Sequence, residues 1–168
     1  MKKLIILIIT TLILTGCTVQ TQETKQLTIT GPSFSNNTAI FQKHTCKGFE
    51  INPELDIQGI PEGTKSLALI VDDPDAPFQT FTHWLVWNIK PVNIIAENSV
   101  PGTQGTNDFG AMFYKGPCPP AGLHHYYFKV YALDAMLNLT KGAEKNELEK
   151  AMKNHILAYG EIVAIYRK

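Results

Sequence analysis

GPCPPAGLHHYYFKVYAL, residues 116–133, sets the reading of this chain. Its first half is a stiff loop. Pro117, Pro119 and Pro120 restrict φ, while Gly116 and Gly122 allow close approach of backbone to a ligand. Its second half, Tyr126 to Leu133, is rich in aromatic and β-branched residues and predicts a strand. Side chains alternate along a strand, so His124, Tyr126, Phe128 and Val130 share one face. That face is apolar along most of its length and polar where the strand leaves the loop.

Two earlier runs repeat this pattern. Leu67 to Val71 (LALIV) is apolar enough to be buried on both faces, and it leads into the stiff turn Asp73-Pro74-Asp75-Ala76-Pro77. There Leu67, Leu69, Val71 and Asp73 share a face. Phe81 to Ile89 (FTHWLVWNI) predicts another strand, and simple alternation puts His83 on the face of Leu85, Trp87 and Ile89. Leu27 to Thr30 and Ala39 to Phe41 are weaker strand candidates. Frequent prolines exclude long helices between residues 50 and 123.

Near the C-terminus, Leu148, Ala151, Met152, His155, Ile156 and Tyr159 recur at helical spacing. They predict a helix from about Lys145 to Ala158, with Gly160 as its stop and Ile162 to Tyr166 as a last strand. His44 and His155 read as structural histidines. The fold class is therefore mainly β, a sandwich with a helix near its C-terminus and short peripheral helices.

If the three apolar faces meet in one core, Asp73, His83, His124 and Tyr126 gather at its rim. Imidazolium and a tyrosine hydroxyl both donate hydrogen bonds, which suits a small oxyanion. Asp73 either orients a histidine and keeps it protonated, or caps its own turn.

The first sixteen residues read as a targeting segment. Lys2 and Lys3 precede an apolar stretch, Leu4 to Leu14, that is too short to span a bilayer. Leu14-Thr15-Gly16-Cys17 resembles the bacterial lipobox, in which the cysteine is acylated and becomes the new N-terminus. Several acyl chains make such anchoring stable. Residues 17–26, the lipidated cysteine and a polar stretch after it, then form a tether. The domain occupies residues 27–168. The expected location is the bacterial cell envelope, exported and held to a membrane through lipid.

The whole chain has fifteen basic and fifteen acidic residues. Removal of the leader takes two lysines, so the exported chain is slightly acidic, and no basic patch supports nucleic-acid binding. With Cys17 acylated, Cys46 and Cys118 remain. An even pair in an oxidising compartment suggests one disulfide. It would close a loop that the chain-entropy model values at roughly 4 kcal/mol.

Asp73-Pro74-Asp75-Ala76-Pro77, His83-Trp84, Gly116-Pro117-Cys118-Pro119-Pro120, Gly122 and His124-His125-Tyr126 occur in this order. In that order they resemble the phosphatidylethanolamine-binding proteins, in particular the bacterial branch labelled Raf-kinase-inhibitor-like. Pro61 to Ser66 and Val130 to Asp134 also look like family segments. The resemblance implies a Greek-key β-sandwich with a C-terminal helix beside its pocket. It implies ligand-binding roles for Asp73, His83, His124 and Tyr126, with Pro119 and Pro120 on the wall. It also implies a phosphate-like anion or phospholipid head group as ligand. His125 stands where the family usually has Arg, and it should point away from Tyr126.

Three function classes follow. The leading one is non-enzymatic binding of a small anion, without cofactor or metal. An enzyme is the second: a His-Asp pair can act as general base, but no GxSxG, HExxH or phosphate loop occurs. A metal site among Asp73, His83, His124 and His125 is a variant, disfavoured because His124 and His125 point to opposite faces. The third is a regulator that binds an unidentified protein partner at the envelope, in the manner of a protease or kinase inhibitor.

Overall fold

Every residue of Ser66–Asp73 is buried, because this strand lies in mid-sheet with a layer packed on each face. The computed structural model describes residues 24–168. The leader, Cys17 and most of the tether lie outside them. In chain order the strands begin with β1 (Lys25–Gln26), β2 (Thr28–Thr30) and β3 (Thr38–Ala39), and a 3-10 turn follows at Gln42–His44. Then come β4 (Leu55–Gln58), β5 (Ser66–Asp73), β6 (Phe81–Ile89), β7 (Ile94–Ile95), β8 (Thr103–Gln104) and β9 (Leu123–Leu133). The helix α1 (Lys145–Met152) and the strand β10 (Ile156–Arg167) end the chain.

The large sheet runs β1-β10-β9-β5-β6-β8, with β3 added beside β10; the small sheet runs β2-β4-β7. Their facing sides make the main core. Ile29, Leu55, Ile57 and Ile95 of the small sheet meet Leu67, Leu69, Val71, Tyr126, Phe128 and Val130 of the large one. The outer face of the large sheet carries a second core, in which Ala68, Ile70, Leu85 and Trp87 pack with Leu148 and Met152 of α1. The expected mainly β sandwich is present, with open sheets.

Two expectations need correction. The first concerns α1, which ends at Met152, well short of Ala158. Asn154 takes a left-handed φ of 68°, which stops a helix, and His155 N–H closes the turn onto the Met152 carbonyl at 2.9 Å. The chain then enters β10, pairing Ile156 with Leu133. Gly160 is thus no helix stop. It sits within β10, where a Cβ would come within 2.4 Å of the Leu27 carbonyl oxygen. His155 lies off the helix, half-exposed, with its Nδ1 at 2.8 Å from Asp134. The helical spacing of 155, 156 and 159 was an accident of an alternating strand that follows directly.

The second correction concerns the phase of β6. Thr82 pairs with Asp72 and Trp84 with Val71, so His83 is an extra residue with no partner on β5. This β-bulge shifts the alternation by one. Trp84 and Val86 therefore face the main core, while Leu85 and Trp87 face the second one. His83 does not share a face with Leu85 and Trp87. It reaches the main-core side because of the bulge, which simple alternation does not contain.

Candidate functional site

The end of β5 and the starts of β6 and β9 lie at the same end of the large sheet, since both neighbours run antiparallel to β5. Asp73, His83, His124 and Tyr126 are brought together there around a cavity of about 260 Å³. Pro119 and Pro120 form part of its wall, with Cys118. Ala76, Pro77 and Phe78 of the loop after β5 form another part, and Phe81 and Phe109 complete it. The volume lies just below the range of about 300–1,000 Å³ usual for small-molecule sites, and the wall is mostly apolar. Among the described residues lining it there is no Lys or Arg.

Asp73, His83 and His124 are fixed from behind. Asp73 is 3% exposed. Its Oδ1 accepts the Asp75 N–H at 2.9 Å, and its Oδ2 accepts the His124 Nδ1–H at 2.7 Å. Asp73 thus caps its own turn and also orients a histidine. His83 donates Nδ1–H to the Lys115 carbonyl at 2.8 Å, and Lys115 N–H returns a bond of 3.2 Å to the His83 carbonyl. A carbonyl oxygen only accepts, so the proton is on Nδ1. The His83 ring stands edge-on to Tyr126, Phe81 and Phe109, with centroids 5.2–5.6 Å away. Burial lowers its pKa below the usual imidazole value, opposed in part by the Lys115 carbonyl.

Tyr126 is completely buried, and its hydroxyl makes no hydrogen bond. Burial first, then the Asp73 carboxylate, pushes its pKa above the usual phenol value, so it stays a protonated donor. A buried hydroxyl without a partner loses its water without compensation, an arrangement common where a ligand completes the bonding.

The walls are tied in place. Cys46 and Cys118 form a disulfide, with Cα atoms 5.4 Å apart across 72 residues of chain. It joins the pocket wall to the segment of His44. That segment is also held by the Tyr114 hydroxyl, which donates to the His44 carbonyl at 3.0 Å, and by Cys46 N–H on the Pro117 carbonyl at 3.2 Å. His44 itself is buried. It donates Nδ1–H to the Ile51 carbonyl at 2.8 Å, so its Nε2 accepts the Ser33 hydroxyl. His125 lies outside the cavity. There its Nδ1 pairs with Asp75 at 2.6 Å, and this pair fastens the Asp73–Pro77 turn to β9.

Sequence reasoning missed Phe78, Phe81, Phe109 and Asn107. Asn107 is the organiser of its loop. Its Nδ2 donates to the His83 and Phe113 carbonyls, both at 2.9 Å, and its Oδ1 accepts from Phe109 and Ala111. The Asn-Asp-Phe-Gly run at 107–110 was a legible turn signal, but nothing local tied it to His83.

Known proteins resemble this chain in sequence and in fold. The family model described as "Phosphatidylethanolamine-binding protein" matches residues 30–167. A UPF0098 protein of Pyrococcus horikoshii is 48% identical over an alignment that spans 100% of this chain and 91% of the relative. One from Pyrococcus abyssi is 52% identical over 80% of this chain and 82% of its own length. Among solved structures, a phosphatidylethanolamine-binding protein homologue from Chlamydia trachomatis superposes with a TM-score of 0.82 at 38% identity. That match covers 86% of this chain and 99% of the homologue. An Escherichia coli structure described as a new member of the mammalian family gives 0.78 at 30% identity, covering 85% and 99%.

Proposed function

The chain belongs to the phosphatidylethanolamine-binding protein family, and from that premise we propose that its cavity binds a small anionic group without chemical turnover. The ligand is a phosphate or a phosphate ester of the kind a phospholipid head group carries. The observation that carries this reading is the unpartnered, buried Tyr126 hydroxyl beside two imidazoles whose Nδ1 atoms are already engaged. The hydroxyl and the His124 ring supply the hydrogen bonds, and the Asp73 charge is spent on its turn and on His124. The Cys118 sulfur, which lines the cavity, is committed to a disulfide and is no nucleophile.

The finer placement in the bacterial Raf-kinase-inhibitor-like branch rests on the Asp73–Pro77, His83-Trp84 and Gly116–Tyr126 motifs, and that as a lipoprotein of the cell envelope rests on Leu14-Thr15-Gly16-Cys17. The Cys46–Cys118 disulfide supports it, because such bonds persist in exported proteins. Intact-mass measurement of membrane-extracted protein tests the anchor. A chain beginning at an acylated Cys17 is expected, and an unmodified Cys17 removes it.

Calorimetric titration with phosphate tests the pocket. Binding in the millimolar range or tighter is expected, weakened about tenfold in His124→Ala, the loss of roughly one charge-assisted hydrogen bond. Absence of any binding by the parent protein overturns the reading.

A further inference from the structure

We propose that the Cys46–Cys118 disulfide is a reversible clasp on the cavity wall, opened by a dithiol that attacks the sulfur of Cys118. The clasp acts on the anion site and in that respect rests on the anion-binding reading; the exchange at Cys118 does not. The two cysteines are unequal. Cys118 is exposed and lines the cavity, whereas Cys46 is half-buried. A thiolate must reach the sulfur it attacks, so exposed disulfides are the labile ones. Access therefore singles out Cys118.

The wall depends on this bond. Pro117, Pro119 and Pro120 carry no N–H to donate. Among the described residues, main-chain bonds hold the loop near its two ends. The Pro117 carbonyl accepts the Cys46 N–H at 3.2 Å, and the Gly122 carbonyl accepts the Lys168 N–H at 3.3 Å. Between those ends the disulfide ties the wall to the segment of His44, which Ser33, Ile51 and Tyr114 hold in place. One side of the clasp is thus firmly seated and the other is not. In the exchange, a thiolate of the dithiol bonds to the Cys118 Sγ, the S–S bond breaks, and the Cys46 Sγ leaves as a thiolate that takes up a proton. The second thiolate of the dithiol then attacks the first sulfur of its own molecule and releases Cys118, which is protonated in turn. The protein gains two electrons and two protons, and the dithiol becomes a disulfide. With the clasp open, a ligand must re-order Pro119 and Pro120 as it binds, which costs affinity.

Glutathione, a monothiol that leaves a mixed disulfide, tests the site of attack on the folded, oxidised protein. After trapping with N-ethylmaleimide, mass mapping is expected to find glutathione on Cys118 and maleimide on Cys46. Glutathione on Cys46, or reaction only after unfolding in urea, overturns the proposal. Reduction by dithiothreitol tests the clasp. The reduced protein is expected to keep its fold by circular dichroism and to bind phosphate about tenfold more weakly, the cost of re-ordering roughly one wall residue. Reoxidation is expected to restore affinity. By linkage, saturating phosphate lowers the midpoint potential of the disulfide by about 30 mV. Equal phosphate affinity before and after reduction overturns the clasp, as does affinity that reoxidation fails to restore. A reduced protein that unfolds overturns it too, since the bond is then a structural staple. If the oxidised protein binds no phosphate, the anion-binding reading fails, and the glutathione map alone keeps or removes Cys118 as an exchange site.

Discussion

Asp72 and Asp73 are consecutive residues of one strand, both buried, and they point to opposite faces of the sheet. Asp72 faces the outer layer. Lys145 approaches its Oδ2 at 2.7 Å and Lys129 its Oδ1 at 2.9 Å, so two ammonium groups close over one carboxylate. Asp73 faces the cavity, with a histidine, a turn amide and an unpartnered phenol as its company. The first carboxylate is compensated by two ammonium groups. The second is held by an imidazole and a turn amide, at the edge of the cavity. Identical chemistry one residue apart thus serves cohesion on one face and recognition on the other.

That contrast breaks first at the lysines. Replacing Lys129 and Lys145 together by Met strands the Asp72 charge in the interior, and such loss costs about 3–5 kcal/mol. Chemical denaturation is expected to show that drop, with phosphate affinity unchanged in the folded fraction. A matching loss of affinity would mean that the two faces are coupled. The disulfide comes next. Cys46→Ser with Cys118→Ser is expected to cost about 2–4 kcal/mol. Unlike the lysine change, it should also weaken phosphate binding, since Cys118 stands in the cavity wall. Unaltered binding would show that the prolines alone hold the wall.

The smallest effect is acid sensitivity. Burial lowers the pKa of both His83 and His44 below the usual 6.5. As pH falls through 6.5 the unfolded chain takes up protons at these two positions while the folded chain does not. Stability contributed by the neutral rings is full above 6.5 and is lost below it. The urea midpoint should fall between pH 7 and pH 5, and His83→Ala should flatten that fall without abolishing it. An unchanged slope would mean that His83 binds its proton equally well in the folded and unfolded chain.

Most of the site was legible because rigid loops and apolar strands write themselves locally. The proline-rich stretch 116–122 and the Asp73–Pro77 turn marked the walls, and alternation along β9 correctly aligned His124 with Tyr126. The β6 face was misread because a bulge is a relation between two strands, and neither strand carries it alone. His83 arrived at the cavity all the same, through an insertion that the alternation rule lacks. The helix boundary failed for a similar reason. Ile156 and Tyr159 fit a helical stripe, and only pairing with β9 makes them strand. Phe109 and Asn107 come from a loop whose place at the cavity depends on its bond to the His83 carbonyl, a contact across 24 residues.

The most direct test of the account is a phosphate titration followed through the ring resonances of His83 and His124 by NMR. Both rings are expected to shift together and saturate on one binding curve, while His44, His125 and His155, all outside the cavity, stay still. Shifts confined to the exposed His125 and His155, or a response spread evenly over all five histidines, would contradict it.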